Sequence, residues 1–324
     1  MYKTESPAPP NLDLRKFKNP DRTTSGEMRA SVALQRLRIL WFNTGSLCNL
    51  TCGNCYIESS PRNDRLAYLT RADAALYLDE LDGPDWSAEE IGFTGGEPFM
   101  NPEIIVLLRD SLSRGYRVLV LTNAMRPMMR HQKSLLALKT EYGANLNFRV
   151  SVDHYNEALH EVERGIGSWQ RMMEGLLWLA RSGFSLSVAG RTRWEEDNAD
   201  LRAGYTAFFT RYGISLDGDN PKDLVLFPEM DVSRDVPEIT TACWSSLGVD
   251  ETNMMCASSR MVVRRKGALT PAVLACTLLP YAPDFELGNT LKEATVKRVS
   301  LNHPHCARFC VLGGGVCGTT AREG

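Results

Sequence analysis

Ile39-Leu-Trp-Phe-Asn43 is followed, after four residues, by Cys48-Asn-Leu-Thr-Cys52-Gly-Asn-Cys55-Tyr56. A short apolar run of this kind suits a strand covered on both faces, and the polar and glycine residues after it end the strand. The arrangement returns at Glu90-Ile-Gly-Phe-Thr94-Gly95-Gly96-Glu97-Pro98. Working outward, further strand-like runs fall at Arg117–Thr122, 147–152, 185–190 and 224–227. Helix-like segments separate them. Arg71–Leu81 places Ala74, Leu76, Tyr77, Leu78 and Leu81 near a helical period, with Thr70 as N-cap candidate. Residues 102–113 begin with Pro102, a residue tolerated in a first helical turn, and Ser168–Arg181 carries Met172, Leu176, Leu177 and Leu179. Six strand–helix repeats with right-handed crossovers predict an α/β fold, a parallel sheet curled into a partial (β/α)6 TIM-type barrel.

The chain has 324 residues, enough for one large domain and a small appendage. Its hydrophobic content of 43% and charged content of 23% are those of an ordinary globular protein. A formal net charge of -2 gives no electrostatic case for nucleic acid as the main partner. No apolar run reaches the ~20 residues of a membrane span, and the first residues contain no signal core, so the expectation is a cytoplasmic enzyme with no membrane partner. Three divisions are expected: an N-terminal arm with a covering helix over residues 1–36, the barrel over 37–235, and a small Cys-rich unit over 236–324.

The nine cysteines fall in two groups, three between positions 48 and 55 and six between 243 and 317. A disulfide framework belongs to short secreted chains, so clustered cysteines here read as metal or iron–sulfur ligands. The spacing C-x3-C-x2-C supplies three thiolates from one loop. Three thiolates hold three irons of a cubane and leave the fourth without a protein ligand, an open position of the kind catalytic metal centres keep. A structural zinc site with a fourth ligand elsewhere is the alternative. The Gly95-Gly96 pair lets a backbone approach a ligand closely, and Glu97 can accept a hydrogen bond from an ammonium group. A plain strand-to-helix turn is the alternative there.

CNLTCGNCY at Cys48 to Tyr56 and TGGEP at Thr94 to Pro98 together resemble the radical S-adenosylmethionine (SAM) superfamily, over roughly residues 37–227. The resemblance implies a partial barrel in which Cys48, Cys52 and Cys55 carry a [4Fe-4S] cluster and Gly95, Gly96, Glu97 and Pro98 face the methionine part of SAM. It also implies that Tyr56 sits by the adenine, that Ser151 and Asp153 lie near the ribose, and that Arg191 reaches the SAM carboxylate or a nearby acidic group. Chemistry in a β/α barrel sits at the carboxyl ends of the strands, which puts Asn123 on the same rim. The competing readings are a helix cap for Asp153 and a surface ion pair for Arg191. The segment from His160 to Ser168 resembles a stretch found after the fourth strand in peptide-modifying members, and no catalytic role is assigned to it.

The second group is Cys243, Cys256, Cys276, Cys306, Cys310 and Cys317. A hairpin turning at Lys266-Gly267, the step Leu287-Gly288-Asn289 and the closing cysteines resemble the SPASM or twitch extensions of that superfamily. This implies one auxiliary [4Fe-4S] cluster on Cys256, Cys276, Cys310 and Cys317, with Cys243 and Cys306 as spare or alternative ligands. A zinc ribbon, with His303 and His305 available, is the alternative.

The resemblance implies reduction by an external donor such as flavodoxin or ferredoxin, cleavage of SAM to a 5′-deoxyadenosyl radical, and hydrogen abstraction from a substrate. The first strand begins near residue 38, which leaves no room for a peptide-recognition domain before it. The expectation is therefore a small-metabolite substrate, with a peptide- or protein-modifying maturase as the alternative. Outside enzymes, the rival is an iron–sulfur electron carrier or a zinc-binding protein. The GGEP loop separates these, because neither rival needs to bind a methionine moiety.

Overall fold

The computed structural model describes residues 13–194, 196–231 and 234–315. Six strands run parallel and in chain order: β1 Ile39–Asn43, β2 Glu90–Thr94, β3 Arg117–Thr122, β4 Leu146–Asp153, β5 Ser185–Thr192 and β6 Leu224–Pro228. The main helices between them are α1 Arg71–Leu81, α2 Ile104–Ser113, α3 Gln132–Tyr142, α4 Glu157–Arg164, α5 Ser168–Arg181 and α6 Asn198–Tyr212. β6 is an edge and does not pair with β1, so the sheet is a partial barrel.

Every residue of β1 and β2 is buried, as a sheet covered on both faces requires. Trp41 fits this interior because its neighbour in register is Gly92. A Cβ at Gly92 would lie 2.3 Å from the Trp41 ring, so the strand makes room for the indole by having no side chain there. The turn before α1 is fixed by a reciprocal capping box, Thr70 with Asp73. α2 starts at Ile104, two residues later than the position of Pro102 suggests. A short 3-10 turn, Pro98–Met100, and the Asn101 side chain accepting the Glu103 amide at 2.8 Å take up the intervening chain.

The C-terminal region adds β7 Ser259–Val263, β8 Ala272–Leu274 and β9 Glu286–Gly288. The hairpin around Lys266-Gly267 is present, with β8 antiparallel to β7 and Gly267 at φ +78. It does not form a sheet of its own. β7 pairs parallel with β1, giving the continuous order β9-β8-β7-β1-β2-β3-β4-β5-β6. β7 thereby covers the backbone edge that β1 would otherwise leave open.

The covering helix expected before residue 37 is absent among the described residues. Residues 13–36 instead lie along the C-terminal region, where Ser31–Val32 pairs antiparallel with Val299–Ser300. The Ala30 amide donates to the Ile239 carbonyl at 2.9 Å and the Gln35 amide to Ala257 at 2.8 Å. These tertiary partners satisfy the backbone groups that a helix would have paired internally, and so override local propensity.

Candidate active site

β1 and β2 both run on, past their carboxyl ends, into the two motifs, and the motifs bond to each other. The Thr44 amide donates to the Thr94 carbonyl at 2.8 Å, Gly96 to Gly45 at 2.8 Å and Glu97 to Leu47 at 3.1 Å. Gly95 adopts φ +140, and a Cβ there would lie 2.6 Å from the Gly45 oxygen. A Cβ at Gly96 would lie 2.2 Å from the Leu47 oxygen. The glycine pair therefore lets the chain approach itself, seating the loop that carries the cysteines.

Above this contact is a cavity of about 150 Å³. Cys48, Cys52, Cys55 and Tyr56 line it from one loop, and Gly95 and Gly96 from the next. Asn123, Ser151, Asp153 and Arg191 complete it from the ends of β3, β4 and β5. Glu97 and Pro98 do not line it. The Glu97 carboxylate is buried beneath, accepting hydrogen bonds from Thr122 Oγ1 at 2.8 Å, the Asn123 amide at 2.8 Å and the Phe99 amide at 3.2 Å. Burial pushes this carboxyl up to about 7, while those hydrogen bonds work in the opposite direction.

Two of the thiols, Cys48 and Cys52, are themselves raised. Burial, followed by the nearby Glu97 charge, pushes Cys48 up to about 12, and burial raises Cys52 against the pull of Arg164. Positive charge is supplied from α4 and β5. Arg164 grips Asp153 through Nε at 2.6 Å and Nη2 at 3.2 Å. Asp153 sits at φ +58, next to an irregularity in the β4–β5 register, so the paired guanidinium holds a left-handed non-glycine residue in place. Burial alone would raise the Asp153 carboxyl, but Arg164 keeps it below its ordinary value.

Asp153 is thus an ion-pair partner rather than a helix cap; Asn156 caps α4. Arg191 is buried, not a surface residue, and meets Glu163 at 3.0 Å and Glu229 at 4.0 Å. Glu163 and Arg164 also line the cavity, and sequence reasoning gave them no role. Their only signal was the charged end of a segment already noted for its resemblance.

The second cysteine group converges as well. Cys256, Cys276, Cys306 and Cys310 line one enclosed space of about 20 Å³, with His305 beside them. Cys306 and Cys310 come from the same π-helical turn, Cys306–Leu312. Cys243 is not among the lining residues; its sulfur accepts the Thr240 amide at 3.4 Å. Cys317 lies outside the described residues. No two of the eight described cysteines are joined to each other by a disulfide. Among the described residues no three His, Cys, Asp or Glu side chains are gathered as a single metal ion needs.

Between the two cysteine sites runs a groove of about 500 Å³. Asn54, Cys55 and Tyr56 form one wall, and Tyr281, His303 and His305 belong to the other. His305 faces both this groove and the four-thiol space.

Residues 42–192 match the family model described as the Radical SAM superfamily. That stretch is a radical SAM domain. Its cofactors are accordingly a [4Fe-4S] cluster and SAM, and three thiols on one loop beside a glycine cradle are a donor set that fits them. Among curated relatives, the subtilosin biosynthesis protein AlbA of Bacillus subtilis is 31% identical over 178 residues, covering 53% of this chain and 37% of AlbA. The mycofactocin maturase MftC of Mycolicibacterium smegmatis is 28% identical over 172 residues, covering 52% and 41%. An AdoMet-dependent heme synthase of Nitratidesulfovibrio vulgaris is 26% identical over 151 residues, covering 46% and 39%. The chain thus spans about two fifths of the length of these relatives. Among solved structures, Streptococcus suis SuiB bound to its precursor peptide SuiA superposes with a TM-score of 0.58 at 13% identity, covering 79% of this chain and 63% of SuiB. That likeness establishes the partial-barrel fold. No helix among the described residues is long and apolar enough to cross a membrane.

Proposed function

We propose that this radical SAM enzyme modifies a peptide, using a cluster on Cys48, Cys52 and Cys55 and an auxiliary cluster in the C-terminal region. The observation that carries the first site is the meeting of the three thiols with Gly95, Gly96, Asn123, Ser151 and Arg191 around one cavity. When bound, the cluster and SAM supply a 5′-deoxyadenosyl radical that removes a hydrogen atom from the substrate. The chain's own residues orient and enclose. Tyr56 and Ser151 bound the space available to the nucleoside, and the Gly95-Gly96 backbone bounds the methionine end. Glu97 contributes from behind, by fixing Thr122 and the Asn123 amide. Arg191 and Asp153 contribute charge through their pairs with Glu163 and Arg164.

For the auxiliary site, Cys256, Cys276, Cys306 and Cys310 are the ligand set we assign, with Cys306 taking the place first expected of Cys317. Arg260 supports it. Its side chain is buried, it donates to the Cys256 carbonyl at 2.6 Å and the Ala294 carbonyl at 3.1 Å, and its Nη2 has no hydrogen-bond partner among the described residues. A buried guanidinium without a counter-ion is costly. Four thiolates on an iron–sulfur cluster supply negative charge beside it, where four neutral thiols would not. Residues 37–235 then act as the SAM-binding barrel and 236–324 as the auxiliary-cluster unit.

The peptide reading is supported by AlbA, named for biosynthesis of a bacteriocin, and MftC, named as a maturase. A groove of about 500 Å³ leading from one cysteine site to the other has room for a peptide segment. The heme synthases keep a small-molecule substrate as the second reading. The test is 5′-deoxyadenosine formation by the dithionite-reduced enzyme, supplied in turn with the peptide fraction and the small-molecule fraction of an extract of the source cells. Stimulation by the peptide fraction alone is expected; stimulation by the small-molecule fraction alone returns the substrate to the metabolite class.

A further inference from the structure

Helix α4 ends against the turn between Cys52 and Cys55. The Gly53 amide donates to the Glu163 carbonyl at 3.1 Å, and the Asn54 amide donates to Glu163 Oε1 at 2.9 Å. The Glu163 side chain is fully buried and also serves two arginines, Arg191 at 3.0 Å through Oε1 and Arg193 through Oε2. Arg191 closes the circuit by donating to the Asn54 carbonyl at 3.4 and 3.3 Å. Both backbone groups of Asn54 are therefore held by one buried ion network. A buried carboxylate needs its charge partners, but nothing in that need requires it to bond the amides of a loop. Thr51 and Gly53 are exposed, so this turn has little burial of its own to hold it.

We infer that Glu163 is a positioning residue for the Cys52-to-Cys55 turn, fixing the backbone from which those two sulfurs are presented and balancing the arginine charges beside them. This rests on the reading that those thiols hold the SAM-binding cluster. Two separable effects follow. The acceptor oxygen fixes the turn, so its loss lets the cluster loop open. The negative charge offsets Arg191 and Arg193, so its loss leaves the surroundings more positive and raises the reduction potential, which responds to local charge.

The experiment uses anaerobically reconstituted full chain: wild type, Glu163→Gln, Glu163→Leu and Arg193→Gln. Two quantities are read, the midpoint of the EPR signal that SAM perturbs and the rate at which iron is lost to a chelator. Glu163→Gln keeps an acceptor and is expected to retain wild-type iron with a higher midpoint. Arg193→Gln removes one positive charge and is expected to shift the midpoint the opposite way, a signature that loosened packing does not produce. Glu163→Leu is expected to lose iron from that cluster several-fold faster. Wild-type midpoints in both glutamine variants, with wild-type iron loss in Glu163→Leu, overturn the inference and leave the cluster reading standing. A wild type with no SAM-responsive signal overturns both.

Discussion

The Gly96 amide lies 2.8 Å from the Gly45 carbonyl oxygen, and this hydrogen bond joins the glycine motif to the loop that carries Cys48. The contact is backbone on backbone, so no side chain can move aside for an intruding methyl. Gly96→Ala places a Cβ 2.2 Å from the Leu47 oxygen. Overpacking of this kind costs about 1–3 kcal/mol. The expected result is a lower unfolding midpoint in denaturant together with reduced iron retention. A variant that loses neither shows that the two loops do not depend on each other.

Cys306 and Cys243 separate the ligand set in the C-terminal region. Cys306 shares its enclosed space with Cys256, Cys276 and Cys310, whereas Cys243 does not. Cys306→Ala is expected to lose about four irons, one cubane's worth, and Cys243→Ala to keep wild-type iron. Iron and sulfide analysis of the two variants decides between them; the reverse pattern sinks the assignment.

Arg164 and Asp153 are a buried pair, with side chains 12% and 7% exposed. Removing one member strands the other's charge at a cost of about 3–5 kcal/mol. Arg164→Leu is expected to destabilise the chain by that amount, and adding Asp153→Asn to recover part of it. Urea unfolding of the two single variants and the double one measures the coupling. Simple additivity contradicts the pairing.

Glu238 ties the N-terminal segment down and makes that attachment pH-dependent. It accepts the Phe17 amide at 2.7 Å and the Thr24 amide at 2.6 Å, and it pairs with Arg29 at 2.5 Å. Burial works to raise this carboxyl, but the bonds from Thr24, Arg29 and Phe17 outweigh it and hold it down to about 2. A depressed carboxyl contributes stability in full above its unfolded value of 4.5 and loses it as pH falls toward about 2. Hydrogen exchange of residues 13–30 is therefore expected to quicken below pH 4.5, beyond its intrinsic pH dependence. Glu238→Gln is expected to exchange fast at neutral pH and to show no such step. A step unchanged in that variant assigns it to another group.

Much of the barrel was legible because its strands are short, apolar and punctuated. β1, β2 and β3 fall where the sequence places them, β4 runs one residue further at each end, and β5 runs two residues further toward the rim. The cysteine and glycine motifs were legible for the same reason: each follows directly from a strand. What was not legible depends on partners distant in the chain. The covering helix expected within residues 1–36 lost to backbone partners such as Ile239 and Ala257. Nothing in the run Ser259–Val263 tells that it will pair parallel with β1. Cys306 is indistinguishable from Cys243 by spacing and was separated only by which thiols share a space. Glu163 sits in an ordinary charged helix, and only the fold shows it buried beneath the cysteine loop.

The most direct test is iron and sulfide content, with EPR in the presence and absence of SAM, on anaerobically reconstituted wild type and a Cys48/Cys52/Cys55→Ala triple variant. Two cubanes predict about eight irons in wild type and about four in the variant, with only wild type responding to SAM. A variant that keeps every iron, or that still responds to SAM, contradicts the placement of the SAM-binding cluster on this loop.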